Sequence, residues 1–193
     1  MTVHMPEQLF FGREFDLEAK IGLFFAIRPD ADATDCVTRL MTQLHDDKTM
    51  LGRPIDPDHL HVTLLRLGVF ADQTPPSLLP TASVAVTTLR TDPIEVVFDR
   101  VGGTRGPFLL RGSDGLAALR AFQQTLKVTL IKAGLRRYVH SVPEPHVTLS
   151  YDFSDVAERP IDPIGWTVRH FVLIESRLGK HQHVERGRWS IGN

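Results

Sequence analysis

The sequence uses one four-residue string twice, and the string contains residue types that suit acid–base catalysis. His61–Leu64 and His146–Leu149 both read His-Val-Thr-Leu. Successive side chains of a β-strand point to opposite faces, so His and Thr share one face while Val and Leu share the other. The apolar face can pack into a core, which leaves an imidazole and a hydroxyl roughly 6–7 Å apart on the open face. Two such strands lining one groove would offer two histidines and two hydroxyls to a phosphodiester.

The surroundings of the two strings indicate an internal duplication. A strand-like run that ends near Arg28 and a helical pattern precede His61, and a run that ends at Arg111 and a second helical pattern precede His146. The repeated unit is therefore predicted to be strand, helix and His-containing strand. We expect an α+β fold of two lobes related by a pseudo-two-fold axis. Each lobe would have an antiparallel sheet with helices on its outer face, and a central groove would separate the lobes.

Length and composition limit the classes of protein that fit. Residues 1–20 show no clean hydrophobic period and are interpreted as an N-terminal extension, and residues 21–193 as a single two-lobed domain. A net charge of −1 argues against a broad contact with long nucleic acid but leaves room for an RNA end or a nucleotide. The sequence has neither a membrane-spanning apolar run nor a signal-peptide pattern, so a cytoplasmic protein is expected.

Two other kinds of site are weighed against this interpretation. His59 and His61 form a His-x-His pair that could bind zinc together with His146, which would make the protein a zinc hydrolase. Since no further carboxylate or Cys ligand stands at a convincing spacing, neither a metal nor a cofactor is predicted. The glycine-rich segment 102–106 lacks the Gly-Lys-Ser/Thr ending of a phosphate-binding loop, so a hairpin turn is predicted there.

Three features together resemble the two-histidine (2H) phosphoesterase superfamily, and in particular its bacterial 2′-5′ RNA ligase-like branch, the RNA 2′,3′-cyclic phosphodiesterases. They are the paired His-x-Thr motifs, the early run Leu23–Ile27 and the late segment Val172–Gly179. The resemblance covers about residues 20–191. It implies metal-independent hydrolysis of RNA 2′,3′-cyclic phosphate ends to 2′-phosphates, with the reverse 2′-5′ ligation available in the same site. The implied partners are RNA 3′ ends or small cyclic nucleotides, without a membrane or an obligatory protein partner.

The resemblance also implies a role for each motif residue. His61 would be the general acid and His146 the general base, while the hydroxyls of Thr63 and Thr148 would hold the phosphate. Imidazoles suit such paired roles because their ordinary pKa lies close to neutral pH. The residues themselves do not separate the acid from the base.

The sequence departs from the family pattern five residues after each histidine. The family often carries an aromatic residue after the first His and an Arg after the second, whereas here Arg66 and Tyr151 stand at these offsets. Arg66 is a candidate phosphate-binding cation from the other lobe, with Tyr151 as its counterpart. Strict alternation would turn an odd offset away from the groove unless a bulge intervenes. Phe25 and Tyr138 are candidates for stacking on a base.

The exchange of Arg66 and Tyr151 also keeps two alternative functions open. One is a non-catalytic protein that binds RNA ends or nucleotides and retains the groove without turnover. The other is a phosphodiesterase that acts on a different cyclic phosphate.

Overall fold

The computed structural model describes residues 21–140, 143–180 and 182–192. The predicted N-terminal extension, residues 1–20, lies outside the described residues. Short 3₁₀ turns precede β2 and β4, and α3 ends in a wide turn in which Gly134 has a φ of 84°. The main elements, in chain order, are β1 (Ile21–Ile27), α1 (Ala31–Asp46), β2 (Val62–Phe70), α2 (Leu78–Val86), β3 (Ile94–Arg111), α3 (Ala117–Leu130), β4 (His146–Val168), β5 (His170–Arg177) and β6 (Gln182–Ser190).

The strands form one open antiparallel sheet in the order β3-β4-β2-β1-β5-β6. Together with the three helices, this sheet confirms the predicted α+β class. Within the described residues, β2 and β4 are joined only by the pair Val62–Val147. The sheet therefore consists of two halves, β3-β4 and β2-β1-β5-β6, that meet at the centre of the two His-x-Thr motifs. Among the described helices, none is long and apolar enough to cross a membrane.

The two halves repeat the same strand–helix–strand unit with the same register. In the first unit β1, α1 and β2 follow one another, and in the second β3, α3 and β4 do so. Equivalent positions of the two motifs have equivalent partners on the neighbouring strand. The matching pairs are Ile27–Val62 with Leu110–Val147, and Ala26–Thr63 with Leu109–Thr148. The duplication that the repeated string indicates is thus present in the strand pairing.

The helices cross between the halves and enclose one main core. α1 packs against β4, and α3 packs against β2 as well as β3. The apolar residues of both motifs point into this core, since Val62, Leu64, Val147 and Leu149 are all fully buried there. A smaller apolar cluster lies on the opposite face of the sheet and is formed by Phe24, Ala26, Val172 and Ile174.

The glycine-rich segment does not form the predicted hairpin turn. β3 runs without interruption through Gly102–Gly106 and pairs with β4 along its length, with several register shifts. A Cβ on Gly102 would lie 2.7 Å from Cα of Glu158, and one on Gly103 would lie 2.4 Å from the carbonyl oxygen of Pro107. The glycines therefore permit close backbone approach where the β3-β4 pair bends. A turn also favours glycines, so the local sequence does not distinguish a turn from a bent strand.

Ion pairs show how far this ribbon curls. The carboxylate of Glu158 on β4 contacts Arg100 at 2.6 Å and Arg111 at 2.9 Å. These two arginines lie near the middle and at the end of β3, so the strand returns towards itself. The curl places Arg111 and its anionic partner beside the second motif.

Candidate active site

The antiparallel pairing of the motifs brings their four polar side chains together. Because Val62 lies opposite Val147, the register places His61 level with Thr148 and His146 level with Thr63. Directly opposed residues of an antiparallel pair have Cβ atoms roughly 4.5–5.5 Å apart and share a face. The valines are fully buried on the core side, so alternation directs both histidines and both threonines to the other face.

Each motif histidine makes the same bond to the backbone two residues earlier. Nδ1 of His61 lies 2.7 Å from the carbonyl oxygen of His59, and Nδ1 of His146 lies 2.7 Å from that of Glu144. A carbonyl only accepts, so Nδ1 carries the hydrogen in both rings. This bond fixes the orientation of the imidazole and leaves Nε2 as the nitrogen for proton exchange.

A β-bulge follows the Thr of each motif. Thr63 pairs with Ala26 and Leu65 with Phe25, so Leu64 is an extra residue on β2. The same shift makes Leu149 the extra residue on β4. A bulge inverts the alternation beyond it, so that the next groove-facing residue stands at an odd offset from the histidine.

The bulges turn Arg66 and Tyr151 towards the motif histidines. Arg66 lies opposite Phe24 of β1, whose ring stacks on His61, so the two share the groove face. Burial lowers the pKa of Arg66 from its ordinary value, and an electrostatic interaction with Tyr151 offsets part of this effect. Arg66 from one half and Tyr151 from the other thus lie between the motifs, each five residues after its motif histidine.

His146 lies in a cationic environment that includes an arginine the sequence reasoning missed. Arg111 pairs with His146 across β3 and β4, and opposed residues share a face. Burial lowers the pKa of His146 most, and Arg66 and Arg111 lower it further. The bond to the Glu144 carbonyl and the Glu144 carboxylate act in the opposite direction. Arg111 could have been found from its place in the repeated unit, where it precedes the second helix.

Comparison with known proteins assigns the family. The profile of the 2′-5′ RNA ligase superfamily matches residues 28–180. The chain belongs to this superfamily of 2H phosphoesterases. Among curated proteins no significant match is found.

Solved structures share the superfamily fold over nearly the whole chain. Escherichia coli LigT complexed with ATP is similar with a TM-score of 0.72 and 20% identity, over 90% of this chain and 99% of that one. A structure described as a phosphoesterase gives a TM-score of 0.68 and 23% identity, over 89% and 99%. The protein TT0787 of Thermus thermophilus gives 0.69 and 18%, over 88% and 97%.

In this 2H phosphoesterase, aromatic and imidazole rings surround the first histidine. The ring of Phe24 stacks on His61 with 5.1 Å between centroids and an interplanar angle of 29°. His183 of β6 lies edge-on to His61 at 5.4 Å and only 4.6 Å from His59. No sequence pattern indicates these neighbours, because β1 and β6 reach His61 only through the sheet order.

Of the two predicted base-stacking residues, Phe25 is not placed for that role. Phe25 is fully buried on the core face, with its ring 6.0 Å from Phe171 and 5.8 Å from Trp189. Alternation along β1 therefore gives the groove position to its neighbour Phe24 instead. Tyr138 packs against the main core, with its ring 6.4 Å from Phe70. This packing corrects the assignment of Phe25, whereas that of Tyr138, which is only partly buried, stays a prediction.

The alternative zinc site is not supported by the arrangement of the described side chains. Within the described ranges, no three His, Cys, Asp or Glu side chains converge as a metal site requires. The ring of His59 lies 4.6 Å from that of His183.

Proposed function

We propose that this chain is a metal-independent RNA 2′,3′-cyclic phosphodiesterase that leaves a 2′-phosphate. The observation that carries the proposal is the pair of His-x-Thr motifs facing each other across Val62–Val147, each imidazole oriented by a carbonyl at 2.7 Å. Two imidazoles on one face suit the transfer of one proton to a reacting phosphate ester and one proton away from it. The structures of Escherichia coli LigT with phosphate and with 3′-AMP are consistent with a phosphate-containing ligand for this fold.

The unlike surroundings of the histidines support the assignment of their roles. A general base must be neutral, and burial with two nearby arginines lowers the pKa of His146, which favours its neutral form. His146 Nε2 would take a proton from water as the water oxygen attacks phosphorus. His61 would give its Nε2 proton to O3′ as the P–O3′ bond breaks. The phosphate then remains on O2′, and solvent restores both protonation states.

Hydroxyl and guanidinium groups would stabilise the negative charge on the non-bridging oxygens of the reacting phosphate. Thr63 and Thr148 can donate to these oxygens, and Arg66 and Arg111 supply positive charge from β2 and β3. Preorganised donors of this kind are worth most in a partly buried site. Replacing water by the 5′-hydroxyl of a second RNA end would give a 2′-5′ linkage through the same positions.

The deciding experiment uses an RNA oligonucleotide that ends in a 2′,3′-cyclic phosphate, in the presence of EDTA. We expect turnover to a 2′-phosphate by the wild type, and a loss of roughly 10²–10⁴-fold in each of His61→Ala and His146→Ala. Binding of the oligonucleotide, followed by fluorescence anisotropy, should be largely retained in both variants.

Other outcomes identify the alternatives. Binding without turnover by the wild type would favour the non-catalytic RNA-end or nucleotide-binding protein. If the wild type neither binds nor hydrolyses the RNA oligonucleotide but hydrolyses a different cyclic phosphate, a phosphodiesterase of another substrate class is favoured. Activity that survives both substitutions would exclude the proposed pair of catalytic histidines.

A further inference from the structure

Phe24 of β1 is the aromatic residue that stacks on His61, and its side chain is almost fully buried. Its relative exposure is 4%, and the two ring centroids are 5.1 Å apart with 29° between the ring planes. The imidazole therefore lies against the face of the phenyl ring rather than against its edge. The face of an aromatic ring is its electronegative part and attracts a cation that lies within about 6 Å of the ring centre.

This contact favours one protonation state of His61. A protonated imidazole is a planar cation and gains an electrostatic attraction to the phenyl face that a neutral imidazole lacks. The bond between Nδ1 and a backbone carbonyl also suits the protonated ring. However, both motif histidines make that bond, at 2.7 Å in each case. The phenyl face is thus a stabilising group that the shared backbone bond does not supply.

The duplicated unit places no equivalent ring beside His146. Phe25 and Phe108 occupy corresponding places, since each pairs with the residue that follows the bulge in its half of the sheet. Phe24 directly precedes the first of them, and Pro107 directly precedes the second. The ring of proline is saturated and has no aromatic face. At this position the two units therefore differ in their ability to stabilise a cation.

Other ionisable groups also lie around His61, and they come from several segments of the chain. Among the described residues they are His59 before β2, Arg66 of β2, Arg28 at the end of β1, His183 of β6 and His146 of β4. Positive charge on any of these groups opposes a proton on His61. Since none of them changes when Phe24 is replaced, variants at that position isolate the contribution of the phenyl face.

We propose that Phe24 stabilises the protonated form of His61 and thereby makes His61, rather than His146, the general acid. Phe24 is a positioning residue in this scheme, because its buried ring acts through the imidazole and not on the substrate. The inference rests on the proposed phosphodiesterase function. It gives a physical reason for the unlike roles of two histidines that occupy equivalent places in a duplicated fold.

The test compares the pH dependence of kcat/KM on an RNA 2′,3′-cyclic phosphate in the wild type, Phe24→Leu and Phe24→Met. Both variants keep an apolar side chain but have no ring, so the protonated form of His61 loses its attraction to the phenyl face. The acid then gives up its proton at lower pH, and the basic limb of the profile should move to lower pH. On that limb kcat/KM should fall about 2- to 5-fold. The acid limb, which reports the base His146, should stay in place.

Two controls separate the phenyl face from the packing around it. Phe24→Tyr keeps an aromatic face and should retain the basic limb of the wild type. Ile174 is paired with Phe24 across β1 and β5 and belongs to the same small apolar cluster. Ile174→Val therefore changes the packing but leaves the ring, and it should move neither limb.

Proton NMR follows the same contact without turnover. The ring signal of His61 is the one that is missing from the spectrum of His61→Gln. Because the phenyl face favours the protonated ring, the pKa of His61 should be lower in Phe24→Leu and Phe24→Met than in the wild type. In Phe24→Tyr it should remain at the wild-type value.

Each remaining outcome has a definite meaning. An unchanged basic limb and an unchanged pKa of His61 in both ringless variants would overturn the inference while the phosphodiesterase function stands. An equal shift in Ile174→Val would do the same, because packing would then explain the effect. A shift of the acid limb instead would make His61 the base and would also overturn the inference. If the wild type hydrolyses no cyclic phosphate, the proposed function fails, and the role of Phe24 in it fails too.

Discussion

The two motif histidines are chemically identical residues with unlike neighbours. His146 lies beside Arg66 and Arg111, whereas His61 is stacked on Phe24 and lies edge-on to His183. The motif residues could be predicted because a repeated string specifies its own strand face. Their neighbours could not, since they come from strands whose pairing the sequence does not state. These neighbours make the two halves of a symmetric site inequivalent.

The cationic environment of His146 leads to a prediction about pH dependence. Arg111 helps to lower the pKa of His146, so Arg111→Gln should raise that pKa towards its ordinary value. A raised pKa leaves more of the base protonated at mildly acidic pH. The acid limb of the kcat/KM profile should therefore move to higher pH.

Arg100→Gln is the matched control for this change. Arg100 shares the carboxylate of Glu158 with Arg111 but is not among the groups that shift the pKa of His146. Its removal should leave the acid limb in place. An unmoved acid limb in Arg111→Gln, or a shift to lower pH, would contradict the assignment of His146 as the base.

The β-bulges are the element that regular patterns do not reveal. A bulge is a property of the pairing between two strands, whereas the local sequence from Val62 to Leu67 is that of an ordinary strand. Helix starts were predictable where the cap is local, since Asp30 accepts from the N–H of Ala33 at 2.9 Å. α3 begins after Leu116 without a side-chain cap, and the N–H of Ser113 before it donates to Asp99 at 2.9 Å.

Each bulge needs a donor for the carbonyls it displaces, and Gln123 of α3 serves the first. Its Nε2 lies 3.3 Å from the carbonyl oxygen of Thr63 and 3.2 Å from those of Leu64 and Pro143. Gln123 is buried. Removing its amide would leave these buried carbonyls without a donor, which should lower the free energy of unfolding by about 1–3 kcal/mol.

Gln123→Met should therefore lower the free energy of unfolding by that amount and also reduce kcat, because the bulge positions Thr63. Urea denaturation and steady-state kinetics measure the two effects. Gln124→Met is the control, since Gln124 is the exposed neighbour on the same helix. Equal stability of the two variants would show that the amide does not support the bulge.

On the scale of the whole molecule, the crossing helices join the two halves through one main core, so we expect the halves to unfold together. α3 belongs to the second unit but packs on β2 of the first, and α1 packs on β4 in return. The duplicated α+β architecture was predictable from the repeated unit, because strand and helix periods survive in the sequence. The exchange of helices was not, because it depends on packing between distant segments.

Two tryptophans allow this cooperativity to be measured. Trp166 stacks on Phe98 in the β3-β4 half, and Trp189 stacks on Phe171 in the other half. Urea unfolding of Trp166→Phe and Trp189→Phe, each followed by the remaining tryptophan, should be a single cooperative transition in either case. Once the effect of each Trp→Phe change on stability is allowed for, both halves should report the same transition.

Leu126→Ala, in the buried face of α3, extends the test. It should lower stability by about 2–5 kcal/mol and move the transition seen by both reporters. Val128→Ala, on the exposed face of the same helix, should move neither. If only the Trp166 signal responds to Leu126→Ala, the halves unfold independently.

The Val62–Val147 pair between the halves also bears on how such a site can arise. A chain with one strand–helix–strand unit and one His-x-Thr motif would leave its helix without a strand to cover and its histidine without a partner. Two identical copies related by a true two-fold axis would supply both. In that homodimer the imidazoles would be indistinguishable, and only the bound substrate could make one the acid and the other the base. Fusion into one chain removes this constraint, since Arg111 and Phe24 can then evolve beside different histidines.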